Sequence, residues 1–481
     1  MLEGLEISEV NLSYVLKNND VFRIDSNYFQ KEFLLEEKIV RRHKFTDLKS
    51  LNVEIRSFGA YSLNNDVTYV EDGIPFIRGV NMKNGRVDFE DMLYIDEKAH
   101  KLLWKSEVKP EMVLLSMSGT IGDVAIASKK WKYPINSNQD IAKIDTKGKL
   151  NPYYLYAFLM SKFGQNYLKR EARGSVQQHV FLSQIERFEI PLVSDEFSKC
   201  IQDVVERSED TLFKSKELYL QAEKILLEEV GLSDFKPSKK SINVKSFKDS
   251  FLSTGRLDAE YYQPKYEEIE NHIKKFRHSK VSELVTFINH GKQPPYVENG
   301  TIRVFSQKWI KDKGIDYSFL DSKDEPFTSE DFAKQHSEYV ARKYDILYYS
   351  VGANLGYCHN YLLEEPIMPG SFITIIRADK DKINPIYLGI ALNSILGRLQ
   401  AEKWKSASAQ PYIYPKDISE FLIPIIDIEK QLKIEALVEE SFRLNQQSKH
   451  LLKVAIKAVE IAIEQDEDTA MSFINNHLSK I

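Results

Sequence analysis

Three stretches of the chain carry side chains that could do chemistry. Asp96, Glu107 and Lys109 place an acid upstream of a Glu-x-Lys pair, a set that can hold a metal ion and orient a hydrolytic water. Cleavage of a phosphodiester by the isolated chain, dependent on Mg²⁺ and abolished by Glu107→Ala, would be its signature. Asn151-Pro152-Tyr153-Tyr154 comes close to the Asn/Asp-Pro-Pro-Tyr/Phe signature of adenine methyltransferases but lacks its second proline. "GTIGDVAIASKK" from Gly119 has glycines and lysines, yet not the G-x-x-x-x-G-K-[ST] spacing that cradles nucleotide phosphates. Methyl transfer and an ATP-driven motor therefore have no motif here, and the hydrolytic set is loose.

The elements that would position these residues are written twice. "RIDSNYFQKEF" at Arg23 returns as "RLDAEYYQPKY" at Arg256, 233 residues on in a chain of 481. At the same offset Ser13-Tyr14 meets Ser246-Phe247, "NPYYLYAFL" at Asn151 meets "NPIYLGIAL" at Asn384, and "GSVQQHVFLSQIERFEIPLV" at Gly174 meets "ASAQPYIYPKDISEFLIPII" at Ala407. "PEMVLLSMSGTIGDVAIA" faces "KYDILYYSVGANLGYCHN", with one residue inserted near the second glycine. Repeated anchors at one offset mean a tandem duplication of a whole domain, not a short solenoid repeat. The second-half equivalents of the hydrolytic set are Ser329, Val340 and Arg342, so that set occurs once. Duplication by itself names no function and is compatible with a merely larger scaffold.

Composition bounds the rest. A length of 481 residues with 42% apolar content suits two or more domains with sizeable cores. No charged-then-apolar leader follows Met1, and no apolar run reaches membrane-spanning length. Cys200 and Cys358 are too few for a disulfide framework or a zinc cluster, so two buried free thiols in a reducing cytoplasm are expected. The net charge of −5 conceals a segregation. Lys98 to Arg187 holds fifteen Lys/Arg against seven Asp/Glu, whereas Leu51 to Glu97 holds four basic residues against eight acidic ones and Glu97 itself. Such a division is compatible with one face meeting phosphate and another meeting a basic partner. Many ordinary surfaces show the same.

Each half opens with strand-like material. "MVLLSMS" and "DILYYSV" are β-rich apolar runs halted by glycine, and "IPFIRGVNM" and "IRVFSQKWI" share the β-branched and aromatic bias. "NPYYLYAFLMSKFGQNYLKREA" and "NPIYLGIALNSILGRLQAEKW" read as helices with proline in the first turn. Each half closes on a long run without glycine or proline, Asp195 to Val230 and about Asp427 to Glu467. Small or apolar residues recur there at spacings of four and three: Phe197, Ile201, Val204, Ser208, Thr211, Ser215, Leu218, Ala222 and Ile225, then Ile434, Leu437, Ser441, Leu444, Ser448, Leu451, Ala455 and Ala458. Two such helices can bury their stripes on each other as an antiparallel pair, giving a pseudo-dimer within one chain. Alternatively one of them serves as an oligomerisation arm.

The ordered, duplicated set now resembles a family. Two "R-[IL]-D" openings, two strand–Gly-turn units, two "NP-x-YL" helices and two "S-x-Q…I…F-x-IP" strands, each followed by a long helix, are similar to the specificity subunit of type I restriction–modification systems. The match runs through both halves in order. Pro110-Glu111-Met112 and Lys343-Tyr344-Asp345 depart from the Gly-Asp often found before the Gly turn, and Gln178 stands where the second half keeps Pro411. The resemblance implies an α+β chain, with target-recognition domains at 1–194 and 236–426 and long antiparallel coiled-coil helices at 195–235 and 427–481. It implies double-stranded DNA as ligand, read at two half-sites. Two adenine methyltransferase subunits would dock on the helix pair, restriction subunits would join them, and no membrane is involved. Methyl donor and ATP belong to those partners, so no cofactor, metal or catalytic residue is assigned to this chain. A helix of about 36 residues is roughly 54 Å long, comparable to about 1.5 turns of DNA at roughly 35 Å per turn, which suits a ruler between half-sites. A specificity chain of a two-subunit, type II-like enzyme or another phage-defence complex would look the same, and a coiled-coil adaptor without DNA contact is a further alternative. A steep loss of affinity with salt separates a DNA reader from that adaptor.

On this reading, residues shared by the repeats serve scaffold or phosphate contacts, and residues that differ are candidates for base readout. Ser175 and Gln177, which coincide with Ser408 and Gln410, form the first group, and Ser118, Thr120 and Asn354 at the Gly turns are added to it as scaffold or phosphate candidates. Arg78, Asn81, Lys83, Arg86, Gln178, His179, Gln307, Lys308, Lys311 and Tyr412 fall in the second, with Arg, Asn and Gln able to make two-point contacts with purine edges. Trp309 is expected in a core instead.

Overall fold

Ser161 and Ser394 decide how each half is built. The stretch expected as one helix after Asn151 is two, Pro152–Met160 and Lys162–Glu171, and its repeat is Pro385–Asn393 and Ile395–Trp404. Both serines are extended, and their hydroxyls cap the following helix on the Gly164 and Leu396 amides. Gly164 and Gly397 then let the second helix pass against the first. A methyl at either would lie 2.4 Å from the Phe158 carbonyl oxygen or 2.0 Å from that of Leu392. Asn151 and Asn384 start the first helix of each pair by accepting two backbone N–H bonds, and Tyr154 and Tyr387 tie it to the Pro191 and Pro424 carbonyls at 2.8 and 2.5 Å.

A computed structural model describes residues 8–18, 23–58, 67–174, 178–240, 242–322, 324–406 and 410–479. The chain divides into two units, Met1–Leu212 with Gln446–Ile481, and Phe213–Asn445. Each is a mixture of helix and strand.

In the first unit Phe45–Asp47 pairs with Glu189–Pro191. A four-stranded antiparallel sheet runs Val124–Ile126, Val113–Ser116, Ile141–Asp145, Glu54–Arg56. A second sheet runs Tyr69–Val70, Leu93–Ile95, Ile74–Ile77, Ile135–Ser137, Glu107–Val108, with one parallel pair. The second unit repeats this plan. His278–Lys280 pairs with Leu422–Pro424, and Val285–His290, Ile373–Ala378, Ile346–Tyr349 and Cys358–Asn360 form the antiparallel sheet. Its other sheet has three strands, Phe327–Thr328, Ile302–Phe305 and Ile367–Pro369. The runs read as strands thus shorten to Val113–Ser116 and Ile346–Tyr349, because a glycine-containing turn follows each at once.

The two long helices are Asp195–Glu229 and Ile428–Glu464, 35 and 37 residues, followed by a separate helix Glu467–Leu478. Within the first unit they run antiparallel: Ser194 bonds Glu467, while Ser208 lies opposite Ser448. Phe197, Ile201 and Val204 pack there with Leu451, Ala455 and Ala458 in one core. Within the second unit Lys430 pairs with Glu229 at 2.7 Å, and Ser215 lies opposite Ser441. In each unit the facing serines exchange hydroxyl-to-carbonyl bonds, 2.6 and 2.7 Å for Ser215 and Ser441 and 2.8 Å from Ser208 to the Ser448 carbonyl. The expected stripe therefore buries Ser208, Ser215, Ser441 and Ser448 with their hydroxyls satisfied across the pair. Thr211 and Ile225 are only half-buried, and Leu226 fills the core next to Ala222 instead.

The repeated opening phrase folds into a clamp. Arg23 pairs with Asp25 at 2.7 Å and lies 4.8 Å over the Tyr28 ring, with Arg170 4.3 Å from the same ring. Arg256, Asp258, Tyr261 and Lys403 rebuild this in the second unit, with Arg256 at 4.4 Å and Lys403 at 4.8 Å from the ring. Arg170 and Lys403 are held in turn by Glu37 and Glu270. Cys358 is buried and Cys200 only partly so. Among the described residues no helix is long and apolar enough to cross a membrane.

Candidate nucleic-acid interface

In the first unit three segments meet at the end of strand Val113–Ser116. The turn that follows needs positive φ at Gly119 (+75°) and Gly122 (+93°). The turn Arg78–Asn81 lies against it, since a methyl on Gly79 would stand 3.5 Å from Ser116 Oγ and 3.6 Å from Thr120 Oγ1. The returning segment joins Ser118 to His179 by a β-bridge, and the Val180 amide donates to the Met117 carbonyl at 2.9 Å. Arg78, Ser118, Thr120 and His179 are thereby brought together, with exposed Gln178 beside them.

Two candidates on this side turn inward. Asn81 is 3% exposed, and its Oδ1 accepts the Arg78 amide at 3.0 Å, fixing the turn. Arg86 follows on the Asn84-Gly85 hairpin, whose two positive-φ residues form a tight turn. Its guanidinium donates to Ser208 Oγ at 2.9 Å and Ser448 Oγ at 2.6 Å, and burial lowers its pKa. Nearby Glu209 is pushed up to about 7 by burial. Asn81 and Arg86 are therefore spent on building the turn and anchoring the hairpin to the helices, while Lys83 of the same hairpin is exposed.

The second unit repeats the arrangement with other side chains. Gly352 (+106°) and Gly356 (+98°) shape the turn, and the extra residue places Asn354 inside it, half-buried. Val351 bridges to Tyr412, the Gly352 amide donates to the Pro411 carbonyl at 2.8 Å, and Gln307 Nε2 donates to the Val351 carbonyl at 3.1 Å. Gln307 and Tyr412 thus meet at this turn, with Gln410 exposed nearby. Lys308 is paired with Glu325 at 2.5 Å, and the Lys311 ammonium donates to the Lys308 carbonyl at 2.6 Å. Trp309 packs half-buried against Phe319. Ser175, Gln177 and Ser408 lie outside the described residues.

Sequence reasoning missed His290, whose Nε2 lies 2.6 Å from the Tyr412 hydroxyl, and the exposed rings of Phe372 and Tyr414. The difference between Ser57 and His290 at equivalent positions was the available signal for the first. The hydrolytic set disperses: Asp96 caps the helix Glu97–Leu102 through the Ala99 amide, and Lys109 pairs with Glu107 at 3.8 Å. The basic excess between Lys98 and Arg187 is likewise spread out, with Lys101, Lys129, Lys130 and Lys147 all in ion pairs.

Residues 47–223 match the family model described as the type I restriction modification DNA specificity domain. No curated protein matches the chain. Among solved structures, the S subunit of a type I restriction–modification system from M. genitalium aligns at 16% identity over 88% of this chain and 96% of its own, with a TM-score of 0.41. The HsdS subunit from Thermoanaerobacter tengcongensis aligns at 15% identity over 88% and 97%, with a TM-score of 0.28. Scores this low leave the fold to rest on the elements described above. The family match falls on the first repeat and takes in its Gly turn and the turn Arg78–Asn81. Over residues 47–223, then, the chain is similar to the type I restriction modification DNA specificity domain.

Proposed function

We propose that this chain is the sequence-reading subunit of a restriction–modification complex and that it recognises a split DNA target with two heads. Residues 1–194 and 236–426 are the heads, and 195–235 and 427–481 the spacer helices. Two adenine methyltransferase subunits dock on the helix pair and restriction subunits join them in the cytoplasm, the methyl donor and ATP being theirs. One observation carries this reading: the same strand, Gly turn and returning segment is built in each repeat, but its outward side chains differ. Arg78 and His179 occupy the turn in one, and Gln307 and Tyr412 in the other. A shared frame with different donors and acceptors is what two half-sites of different sequence require.

The test is methylation mapping by long-read sequencing in cells with and without the chain beside its methyltransferase. The expected result is a split adenine-methylated motif that disappears with the chain. Exchanging 246–426 for the equivalent region of a relative should then change one half-site only. If that exchange altered both half-sites together, the two-head reading would fail.

A further inference from the structure

Behind Tyr412 the second unit holds a hydrogen-bond chain that ends on a buried backbone carbonyl. Ser350 and Thr374 are fully buried. Ser350 Oγ donates to the Tyr348 carbonyl at 3.3 Å and lies 2.6 Å from Thr374 Oγ1. Thr374 Oγ1 lies 3.2 Å from His290 Nδ1, and His290 Nε2 lies 2.6 Å from the Tyr412 hydroxyl. The Tyr348 carbonyl can only accept, and the Ser350 hydroxyl is placed to donate to it. Ser350 then accepts from Thr374, Thr374 accepts from Nδ1–H, and Nε2 is left to accept the tyrosine proton. Burial holds the imidazole in the neutral form this order requires, its pKa lying below the ordinary value. The Tyr412 oxygen therefore has its proton turned inward and only lone pairs left for whatever approaches from outside.

The first unit has no such chain. Its equivalents of Ser350, Thr374, His290 and Tyr412 are Met117, Ala142, Ser57 and His179, and Ser57 donates instead to the Gln139 carbonyl at 2.6 Å. Exposed Tyr414 has its ring 4.5 Å from that of Tyr412, and the carbonyl of exposed Phe372 accepts the Ser350 amide.

We propose that Tyr412 determines specificity in the second half-site by accepting a hydrogen bond from an exocyclic base amino group, adenine N6 or cytosine N4, and that His290 is its positioning residue. Those two amino groups are the donors exposed in the major groove. This rests on the two-head reading above. The test maps the methylated motif in cells carrying the full chain as wild type, Tyr412→Phe, His290→Ala or His290→Gln. Tyr412→Phe and His290→Ala should each relax one position of the second half-site roughly tenfold, leaving the first half-site and the gap unchanged. His290→Gln should restore the preference, because its amide oxygen can take the tyrosine proton. If all positions keep their wild-type preference in Tyr412→Phe, or if His290→Ala weakens methylation evenly without changing any preference, the inference is overturned while the two-head reading stands. A motif that does not depend on this chain in the wild type overturns both.

Discussion

The two repeats agree in their clamps and differ in what lies behind their sheets. Both hold an arginine on an Asp and a tyrosine ring, both cross two helices at a Ser-x-x-Gly step, and both tie the same tyrosine to a proline carbonyl. On the central strand of the four-stranded sheet they part. The first repeat buries Lys143, 1% exposed and bonded to Ser137 Oγ at 3.0 Å, where the second buries Ile375. The second instead buries Ser350 and Thr374 and half-buries His290 where the first has Met117, Ala142 and Ser57. Identity between copies thus follows the joints, and divergence follows the strands that support the Gly turns.

The largest effect that would test the shared part is at the helix crossing. Gly164→Val and Gly397→Val each drive side-chain atoms into a backbone carbonyl that cannot move without unseating a buried helix. Each should destabilise its own unit by about 3 kcal/mol or more, read as a lower urea midpoint for one phase of unfolding of the full chain. If either substitution were neutral, the crossing would not be the joint it is taken to be here.

Lys143 tests the difference. Burial pulls its pKa down to about 7, with Arg56 adding to the effect. Between that value and the ordinary lysine range the unfolded chain binds a proton that the folded chain does not, so stability rises with pH across that window. At pH 7 and below, the charged form costs its full penalty. Lys143→Ile, the residue of the other repeat, should stabilise the first unit by a few kcal/mol near pH 7. The gain should shrink towards pH 10, as measured by urea unfolding at both. An equal gain at the two pH values would mean that Lys143 is not buried in this way.

Much of this was legible beforehand, because a duplication supplies its own control. The offset of 233 located the helical stretch after each Asn-Pro, both Gly turns and both long helices, since each is fixed by local residues: proline in the first turn, glycine after a strand. The break at Ser161 was not foreseen, because Ser and Gly are tolerated inside helices and only the close crossing shows why both stand there. At the site, residue type was readable but direction was not. Asn81 and Arg86 are good hydrogen bonders in a segment that differs between repeats, yet a turn and a two-residue hairpin send alternate side chains to opposite sides. Which side meets the helices depends on Ser208 and Ser448, over a hundred positions away in sequence. The chain behind Tyr412 is likewise assembled from three distant segments.

The smallest predicted effect returns to the phrase written twice. Arg256 makes an exposed-edge ion pair with Asp258 and a stacking contact with Tyr261. Arg256→Ala should therefore cost only about 0.5–1 kcal/mol. Arg23 makes the same two contacts and also donates from Nη1 to the Arg170 carbonyl at 2.8 Å. Arg23→Ala should cost about 1 kcal/mol more than its counterpart, again read from urea midpoints of the full chain. Lysine at either position keeps the charge but loses the planar fork that meets the Asp and the ring together, so it should recover less than half of the loss. If the two alanine variants cost the same, the carbonyl bond adds nothing, and the clamps are equal joints despite their different neighbours. If Arg256→Ala cost more, the second clamp would carry a load that its contacts do not explain, and the equivalence of the two joints would have to be given up.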